Sequence, residues 1–541
     1  MTAVSARFRA VRDLLPAAAM LAIFLPLDRW LYLSTRLSAE EIAAPVLLPQ
    51  AMRGMIGPLA LIAVALAALA VWRPALLAGW NRLEHGGRLR AFVAVVLFVL
   101  AWDFSTYEPN HWVGQVHAVD RLLLLAFAAA ALFRPLFLLP FLLVLYPIIW
   151  QFDVPLGAHM WGIELSATRL LILFLAAWVV TAITGKRRAD DYVYLAVCVF
   201  AVGYWWPGFG KLRLGWFLDN PTHDIVAAAH THGWHRSWTA ERVAEFARAC
   251  APLDPLGRAG TLLFEVGAPL VLVWRRITPW FFVGWIGFHA GVFLMVGYVF
   301  WKWALIGAAF LFLIGVRGVP RFALWNPVRA VASVAVIVGL PLVLWPITQL
   351  AWYDTGLSYA LRYEAVDAQG RRWDWAAPEF APFTDRFVMS MFDAVTPEAH
   401  ATGPYGVTKT RDVAEAVRRA SHMGIMWVEM ELCAREGNDY DPARRAAFES
   451  FVRDFVRHRN ETRGARPWWR RIAPPSMLQC ATAGPRWPED SPVVRVDVDL
   501  VVAFFDGKTY EIVRRNPISR IEIEPRPARP PSPTPEGSRS T

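Results

Sequence analysis

The chain has 541 residues, of which 56% are hydrophobic and 18% are charged, and it contains 27 Trp and 33 Phe. Its mean hydropathy is +0.34. Because the apolar residues come in long blocks, the composition excludes a single water-soluble globule, a fibrous protein and a disordered chain. The formal net charge is +10, yet residues 351–541 contain 27 Lys and Arg and 27 Asp and Glu. The basic excess therefore lies in residues 1–350, where it indicates membrane topology and not nucleic-acid binding.

Apolar blocks along residues 1–350 predict an α-helical polytopic membrane domain. The first block follows three arginines in residues 1–13, and no A-x-A-like cleavage site follows it, which predicts an uncleaved span. The predicted blocks lie at about 14–34, 55–72, 91–106, 119–133, 135–150, 165–184, 192–209, 259–274, 279–300, 303–316 and 328–350. Several are shorter than the roughly 17–25 residues of a spanning helix, so the prediction is about 11 spans with an error of about two.

The distribution of Lys and Arg between the predicted loops indicates the orientation, since cytoplasmic loops carry the positive excess. With the N-terminus inside, the inner loops contain Arg73, Arg82, Arg88, Arg90, Arg134, Lys186, Arg187, Arg188, Arg275, Arg276, Arg317, Arg321 and Arg329. The outer loops 107–118 and 151–164 contain no Lys or Arg. The pattern predicts an inside N-terminus, an outside loop at 210–258 and an outside C-terminal domain, in a bacterial-type cytoplasmic (inner) membrane.

From Ala351 the sequence changes to mixed polar composition, which predicts a soluble extracytoplasmic α+β domain over residues 351–523. Alternating residues over 493–513, on both sides of Asp506-Gly507, predict a β-hairpin. A smaller hairpin is predicted at 357–375 around Gln369-Gly370.

The same domain contains a predicted helix and two cysteines. The pattern from Asp441 to His458 is typical of an amphipathic helix that begins at an Asp cap. Residues 524–541, rich in Pro, Ser and Arg, are predicted to be disordered. Four cysteines are too few for a disulfide scaffold, but Cys433 and Cys480 can pair in an oxidising exterior compartment.

Charged or titratable side chains in the apolar blocks or at their ends need an explanation, because a charged side chain costs about 2.5–3.5 kcal/mol at the bilayer centre. They are Asp28, Arg29, Asp103, Asp120, Arg121, Arg169, Lys211, Glu265 and His289. The adjacent pairs at 28–29 and 120–121 do not face each other on a helix and are interpreted as helix ends at the interface. Structural ion pairs remain an alternative for the others. Glu265 and His289 have no obvious local partner, and they can converge on a pocket that opens to the outside.

The stretch from Tyr204 to Trp216, YWWPGFGKLRLGW, is the most informative. It resembles the signature of the vitamin K-dependent γ-carboxylase-like family, whose membrane part is the horizontally transferred transmembrane domain: an aromatic helix end, Ala-Gly-x-x-Lys-Leu, then a Trp. The blocks FEVGAPL at 264–270 and GFHAG at 287–291 look like a second stretch of that family. The resemblance covers residues 192–316, and the chain departs from it at Pro207, where the pattern has Ala.

The resemblance implies that a lysine deprotonates reduced vitamin K or menaquinone. Oxygen then adds, and the strong base that forms removes a γ-proton from a peptide glutamate, which takes up carbon dioxide. By position Lys211 is the base, and a water-poor site favours the neutral lysine that this role needs. Glu265 and His289 are predicted to position or exchange protons. The predicted quinone-binding residues are Trp205, Trp206, Trp216 and Arg169.

Oxygen and carbon dioxide are the implied co-substrates, a peptide or protein on the extracytoplasmic side is the implied partner, and no metal is expected. The spacing of His230, His232 and His235 nevertheless makes them weak candidates for metal ligands, since imidazoles are frequent ligands. These residues can instead be solvated, or can handle protons at the mouth of the pocket. For Lys211 the alternative is an interfacial lysine within a belt of Trp.

Two other functions stay open at this point. One is a non-catalytic membrane protein that matures or binds an exported partner. The other is a proton-coupled transporter with Glu265 and His289 as its relay, which requires related halves and broken helices. The sequence has no evident symmetry of that kind. The oligomeric state is also open, because Gly287-x-x-x-Gly291 permits close helix packing within or between chains.

Overall fold

The computed structural model describes residues 3–53, 55–74, 78–80, 85–106, 116–153, 162–185, 189–315, 323–344, 351–381, 383–384, 387, 395–398, 400–436, 440–462, 468–479, 487–488 and 491–524. Within these ranges the side chains of 3–13, 153, 162, 315, 378, 433–436 and 469–470 are not described. The predicted Cys433–Cys480 pair and the predicted disordered tail beyond residue 524 therefore lie outside the described residues.

The described part of residues 1–344 is helical. Its helices are α1 Ala3–Ser34, α2 Ala39–Ile42, α3 Leu48–Arg53, α4 Ile56–Trp72, α5 Gly86–Thr106, α6 Ala118–Phe133, α7 Leu138–Trp150, α8 Gly162–Thr184, α9 Ala189–Leu214, α10 Trp216–Asp219, α11 Asp224–Thr231, α12 Ala240–Cys250, α13 Asp254–Thr261, α14 Thr278–Val296, α15 Trp301–Gly315 and α16 Pro327–Gly339. A π-helical turn, Leu262–Val266, continues α13, and short 3-10 turns lie at Pro135–Phe137, Gln151–Asp153, Ala251–Leu253, Ala268–Leu270 and Leu340–Leu342.

Five helices of the described chain are long and apolar enough to cross a membrane, fewer than the eleven predicted spans. They are Leu14–Ser34 within α1, Gly86–Thr106, Ile163–Thr184, Ala189–Leu214 and Thr278–Val296. Four more apolar stretches are shorter, at Ile56–Trp72, Pro135–Trp150, Trp301–Ile314 and Pro327–Leu342. The predicted block at 259–274 is not one continuous helix. It consists of the end of α13, the π-helical turn Leu262–Val266 and the 3-10 turn Ala268–Leu270. Pro269 lies in its last turn and lacks the N–H that a continuing α-helix requires.

Buried charges of the apolar helices pair across the bundle. Arg169 on α8 donates from Nε to Asp28 on α1 at 3.2 Å. Lys302 on α15 donates to both Asp103 on α5 and Glu164 on α8. The interpretation of Asp28 as a helix end at the interface was wrong, because the residue lies within α1 and is held by another helix.

The second adjacent pair, Asp120 and Arg121, does lie at a helix end, near the start of α6. Asp120 accepts hydrogen bonds from the backbone N–H groups of Leu47 and Leu48, at 2.8 and 3.1 Å, and so caps the start of α3. Arg121 donates to the backbone carbonyl groups of Ser105 and Val116. These bonds join the C-terminal end of α5 and the N-terminal end of α6 to the start of α3.

The C-terminal part contains an antiparallel four-stranded sheet of order β3-β2-β5-β6. Its strands are β2 Leu357–Asp367, β3 Arg372–Trp375, β5 Val493–Phe505 and β6 Tyr510–Glu522, and a separate pair joins β1 Tyr353–Asp354 to β4 Val407–Thr408. Three helices accompany it: α17 Arg411–Arg419, α18 Ile425–Glu436 and α19 Pro442–Glu461.

The local predictions for this part are confirmed. Gly507, between β5 and β6, has a φ of 87°, and Gly370, between β2 and β3, has a φ of 77°. Such left-handed positions favour glycine. Asp441 caps α19 by accepting the N–H of Ala443 at 2.8 Å.

The helices between residues 216 and 253, predicted as an outside loop, pack against this sheet. Val226 of α11 and Val243 of α12 share a buried apolar cluster with Phe505 and Tyr510. The hydroxyl group of Thr231 of α11 also shares one hydrogen bond with that of Tyr510, with the oxygen atoms 3.0 Å apart. The sheet and these short helices therefore form a common core above the ends of the long helices.

Candidate functional site

The C-terminal turns of α9 form one wall of the candidate site. Tyr204, Pro207 and Lys211 lie at helical spacing on the face that lines a cavity, whereas the two tryptophans between them do not line it. Trp205 and Trp206 instead pack on Phe209, with ring centroids 5.5 and 5.9 Å away.

A close approach between α9 and the π-helical turn brings Glu265 to this wall. A Cβ atom at Gly208 would lie 2.7 Å from the Cβ of Glu265 and 2.9 Å from its carbonyl carbon. A Cβ at Gly284 of α14 would likewise lie 1.9 Å from the ring of Phe264. Two glycines thus allow α9 and α14 to pack directly on the turn that carries Glu265. π-Helical turns inside helices are frequent at functional sites.

Lys211 and Glu265 form a two-point ion pair. The Nζ of Lys211 lies 2.8 Å from both carboxylate oxygens of Glu265. The side chains are 12% and 5% exposed, so the pair is largely shielded from solvent. Trp216 and Phe288 offer their ring faces to the ammonium group, with centroids 5.3 and 5.9 Å from Nζ. Glu265 is therefore paired with Lys211, which lies 54 positions earlier in the chain.

The pair faces a cavity of about 800 Å³. Most of its lining is apolar, and its polar and charged lining residues include Glu164, Ser166, Arg169, Tyr204, Lys211, Thr222, Cys250, Thr261, Glu265, His289, Tyr298, Asp354 and Tyr405. A volume of this size lies within the roughly 300–1,000 Å³ of small-molecule sites, which are mostly apolar with a few convergent polar groups.

His289 of α14 forms a second polar group in the cavity wall. Its Nε2 lies 2.9 Å from the hydroxyl oxygen of Tyr204. Tyr204 stacks on Trp285 with centroids 4.3 Å apart, which holds its ring in place. The buried Nδ1 of His289 has no hydrogen-bond partner among the described residues. His289 as a residue lines the cavity wall.

The C-terminal part closes one side of the cavity through Asp354 of β1. One oxygen of Asp354 accepts a hydrogen bond from Nδ2 of Asn220 at 2.5 Å, and the other accepts one from Nε1 of Trp352 at 3.0 Å. The backbone N–H of Asp354 donates in turn to Oδ1 of Asn220 at 2.8 Å. Burial raises the pKa of Asp354 to about 6, although the bond from Asn220 and the charge of Lys211 oppose the rise.

Of the predicted quinone-binding residues, the cavity is lined by Trp216 and Arg169 and not by Trp205 or Trp206. The Nε of Arg169 is bound to Asp28, so its charge is balanced at the cavity wall.

The three histidines proposed as weak metal ligands contact different partners. His230 bonds through Nδ1 to the carbonyl of Trp234 at 3.2 Å. His232 bonds through Nε2 to the carbonyl of Pro404 at 2.9 Å, and burial lowers its pKa to about 4. His235 stacks on Trp238 with centroids 4.0 Å apart. Within the described residues, no group of three or more His, Cys, Asp or Glu side chains could hold a metal ion.

Three polar residues that line the cavity, Tyr204, Glu164 and Asp354, were not predicted from the sequence as site residues. Tyr204 could have been found, because it precedes Lys211 by seven residues and so shares its helical face. Glu164 and Asp354 carry no local signal: Glu164 lies at the start of a helix, and Asp354 follows the composition change at 351. Their places in the wall depend on long-range packing.

Comparisons with known proteins give no relative for this arrangement. No protein-family model matches the chain, and neither the curated proteins nor the solved structures contain a significant match. The chemistry of the site follows from its own groups. They are a shielded lysine–carboxylate pair and a histidine with an unbonded ring nitrogen, and both line one largely apolar cavity.

Proposed function

We propose that the chain is an integral membrane enzyme of the vitamin K-dependent γ-carboxylase type. It would couple the oxidation of a reduced quinone to its epoxide with the carboxylation of glutamate in an exported peptide or protein. One observation carries the proposal: the Lys211–Glu265 pair lies in the wall of a largely apolar cavity, at the end of a helix long enough to span a membrane.

The groups of the cavity suit a hydroquinone. The apolar lining favours an aromatic ring with a hydrocarbon tail, and the ion pair and His289 are the polar groups of the wall that ring hydroxyl groups would meet. When bound, the hydroquinone supplies the acidic hydroxyl group and the electrons that oxygen accepts. Reduced vitamin K or menaquinone would fill this role, with oxygen and carbon dioxide as co-substrates.

Lys211 can become a base without leaving its partner. In a medium of low dielectric constant, moving one proton from Nζ to Glu265 replaces two charges by a neutral pair. The 2.8 Å distances allow this transfer in one step. The neutral amine then accepts the hydroxyl proton of the substrate. Tyr204 fixes the ring of His289 through its hydroxyl group.

We also propose the orientation with an inside N-terminus and an outside C-terminal domain, in a bacterial-type inner membrane with about eleven membrane-inserted segments. Arginines of the predicted inner loops that fall within the described chain support it: Arg73, Arg88, Arg90, Arg134, Arg275, Arg276 and Arg329. In this orientation the C-terminal residues that line the cavity, among them Asp354 and Tyr405, lie on the side where an exported peptide would arrive.

The direct test is quinone epoxidation by purified protein in lipid nanodiscs, with reduced vitamin K or menaquinone, oxygen, bicarbonate and a Glu-rich peptide. Lys211→Arg keeps a cation beside Glu265, but guanidinium does not lose its proton, so epoxide formation should disappear while the protein stays folded. The matched control is Lys409→Met, because Lys409 is an exposed lysine outside the cavity. It should form epoxide at the wild-type rate.

A folded wild-type protein that forms no epoxide with either quinone would contradict the proposal, as would full activity in Lys211→Arg. A proton-coupled transporter is then the next candidate. The break of the helix around Glu265 favours it, since transporters bind coupling ions at interrupted helices. Glu265→Gln should abolish proton-coupled uptake in that case.

A further inference from the structure

We propose that a 3-10 turn of the C-terminal part, Trp468–Ile472, inserts its apolar side chains into the membrane surface at the end of the bundle where α5 ends. The composition of residues 351–523 predicts a soluble domain, so this contact would make one segment of that domain a membrane anchor. The inference requires the apolar helices to cross a membrane, but it does not depend on the proposed chemistry.

The turn is fixed to the end of α5 by Trp102. Nε1 of Trp102 donates a hydrogen bond to the backbone carbonyl of Ile472 at 2.5 Å. Trp102 precedes Thr106, the last residue of α5, by four residues, which is about 6 Å along the helix. Cα atoms of α5 and of the turn also approach within 8 Å of each other. The turn therefore lies beside the last part of a helix that is long enough to cross a membrane.

The face of α5 that leads to the turn is apolar and exposed. Phe98 lies one helical turn before Trp102 and stacks on it, with ring centroids 5.2 Å apart. Phe98 is 54% exposed, and it lies eight residues before the helix end, which is about 12 Å deep in a membrane-spanning helix. At that depth an exposed phenylalanine contacts lipid hydrocarbon. The turn lies where this lipid-facing side of α5 reaches the membrane surface.

The turn continues this exposed surface with side chains that are typical of membrane interfaces. Trp468 is 68% exposed and Ile472 is 52% exposed. Arg471, between them, is exposed as well. Tryptophan is enriched at the level of lipid headgroups, because its ring is apolar and its N–H is polar, and arginine bonds phosphate groups. The surface of a bilayer therefore suits this turn better than water does.

After the turn the chain is held a second time. The backbone N–H of Val299 donates to the carbonyl of Met477 at 2.7 Å. The backbone N–H of Gln479 donates to the carbonyl of Gly297 at 3.0 Å. These bonds pair the segment with the linker between α14 and α15. Because the turn is held on both sides, its insertion into lipid does not have to order the chain.

The same segment forms part of the cavity wall. Met477, five residues after the turn, lines the cavity together with Tyr298 and Phe300 of the linker between α14 and α15. A turn that is held in the bilayer would therefore steady this part of the wall from the lipid side.

The test replaces Trp468 or Trp427 by the photo-crosslinking amino acid benzoylphenylalanine, in the full chain in nanodiscs of phosphatidylcholine and phosphatidylglycerol. Trp427 is the matched control, because it is 67% exposed. It lies on α18, whose Ile425 and Leu432 pack into an apolar cluster with described members that all lie after residue 356. Illumination should give lipid adducts at position 468 about ten times or more as often as at position 427, measured by mass spectrometry.

Hydrogen exchange gives a second readout, in which the bilayer can be removed. The double variant Trp468→Ser, Ile472→Ser should speed exchange at the backbone amides of Val299 and Gln479 about tenfold or more in nanodiscs, because the turn loses its hold on the membrane. In amphipol, which has no bilayer surface, the variant and the wild type should exchange at the same rate. Trp427→Ser should leave both amides unchanged in either medium.

Two results would overturn the anchor. One is a folded protein whose position 468 gives no more lipid adducts than position 427. The other is a crosslinked product of twice the chain mass in place of the lipid adduct, which would assign the turn to contact with a second copy of the chain. Neither result depends on whether the protein forms epoxide, since no quinone is added.

Discussion

Lys302 illustrates what a single buried charge does in this bundle. Its ammonium group is bonded to Asp103 and to Glu164, and all three side chains are at most 10% exposed. Removing the cation would leave two like charges buried side by side. Breaking a buried pair by removing one partner costs about 3–5 kcal/mol, since the remaining charge is uncompensated. The pairing therefore stabilises the contact of α5, α8 and α15.

We predict that Lys302→Met lowers the free energy of unfolding by about 3–5 kcal/mol, measured by denaturant titration in detergent micelles. Arg411→Met is the matched control, because Arg411 also binds two carboxylates, Asp219 and Glu415, but at the exposed surface. That variant should unfold at the wild-type denaturant concentration. Equal losses in both variants would show that burial does not set the strength of these pairs.

Single residues were predictable from the sequence where their chemistry is unusual for their place. Lys211, Glu265 and His289 were singled out because charged or titratable groups in apolar blocks are costly. Their partners were not predictable, since the pairing of Lys211 with Glu265 spans 54 residues and depends on how two helices meet. Lys302 was missed because it lies between the predicted blocks at 279–300 and 303–316.

At the scale of elements, the contact of α9 with the π-helical turn decides the geometry of the ion pair. Gly208 belongs to the short motif that contains Lys211, and its missing side chain lets the two segments touch. Small residues at helix contacts allow backbones to approach closely. The glycine and the lysine of the motif thus act on the same partner, Glu265.

We predict that Gly208→Ala weakens the site as well as the fold. The added methyl group meets the backbone of Glu265, and overpacking of this kind costs about 1–3 kcal/mol. The expected result is a lower thermal midpoint and at least a tenfold lower epoxidation rate, because Glu265 is pushed away from Lys211.

Gly57→Ala on α4 is the control for this prediction, since a Cβ there meets nothing within 4 Å. Alanine is favoured over glycine in a helix by up to about 1 kcal/mol, so this variant should be at least as stable as the wild type. A Gly208→Ala protein with the wild-type rate would show that the close approach is not needed for the site.

The elements that sequence patterns predicted well are those with local signals. Asp506-Gly507, Gln369-Gly370 and the Asp441 cap determine two hairpins and one helix start through bonds within a few residues. The broken helix around Glu265 had no such signal apart from Pro269. Its π-helical turn is determined by packing against α9 and α14, which a linear pattern does not contain.

At the scale of the whole molecule, the composition change at Ala351 predicted a separate soluble domain. The change in composition is real, but contacts cross it: Asp354 and Tyr405 line the cavity, and Phe505 and Tyr510 bury the apolar faces of α11 and α12. A break in composition marks where the surroundings change from lipid to water. It carries no information about which surfaces pack together.

We therefore predict that α11 and α12 are not stably folded without the sheet. A chain ending at Leu344 lacks the partners of α11 and α12, so Val226 and Val243 become exposed. Exposed apolar faces on short helices cannot offset the entropy of ordering them. Limited proteolysis in nanodiscs should then cleave between residues 216 and 253 at least ten times faster than in the full chain.

A chain ending at Glu524, which keeps the whole sheet, is the control for the shorter chain. It should be cleaved between residues 216 and 253 at the rate of the full protein, because β6 ends at Glu522 and all sheet contacts remain. Slow cleavage of the chain ending at Leu344 would contradict the shared core. It would mean that the short helices are ordered by the membrane helices alone, through contacts such as that of Trp234 with Phe293 of α14.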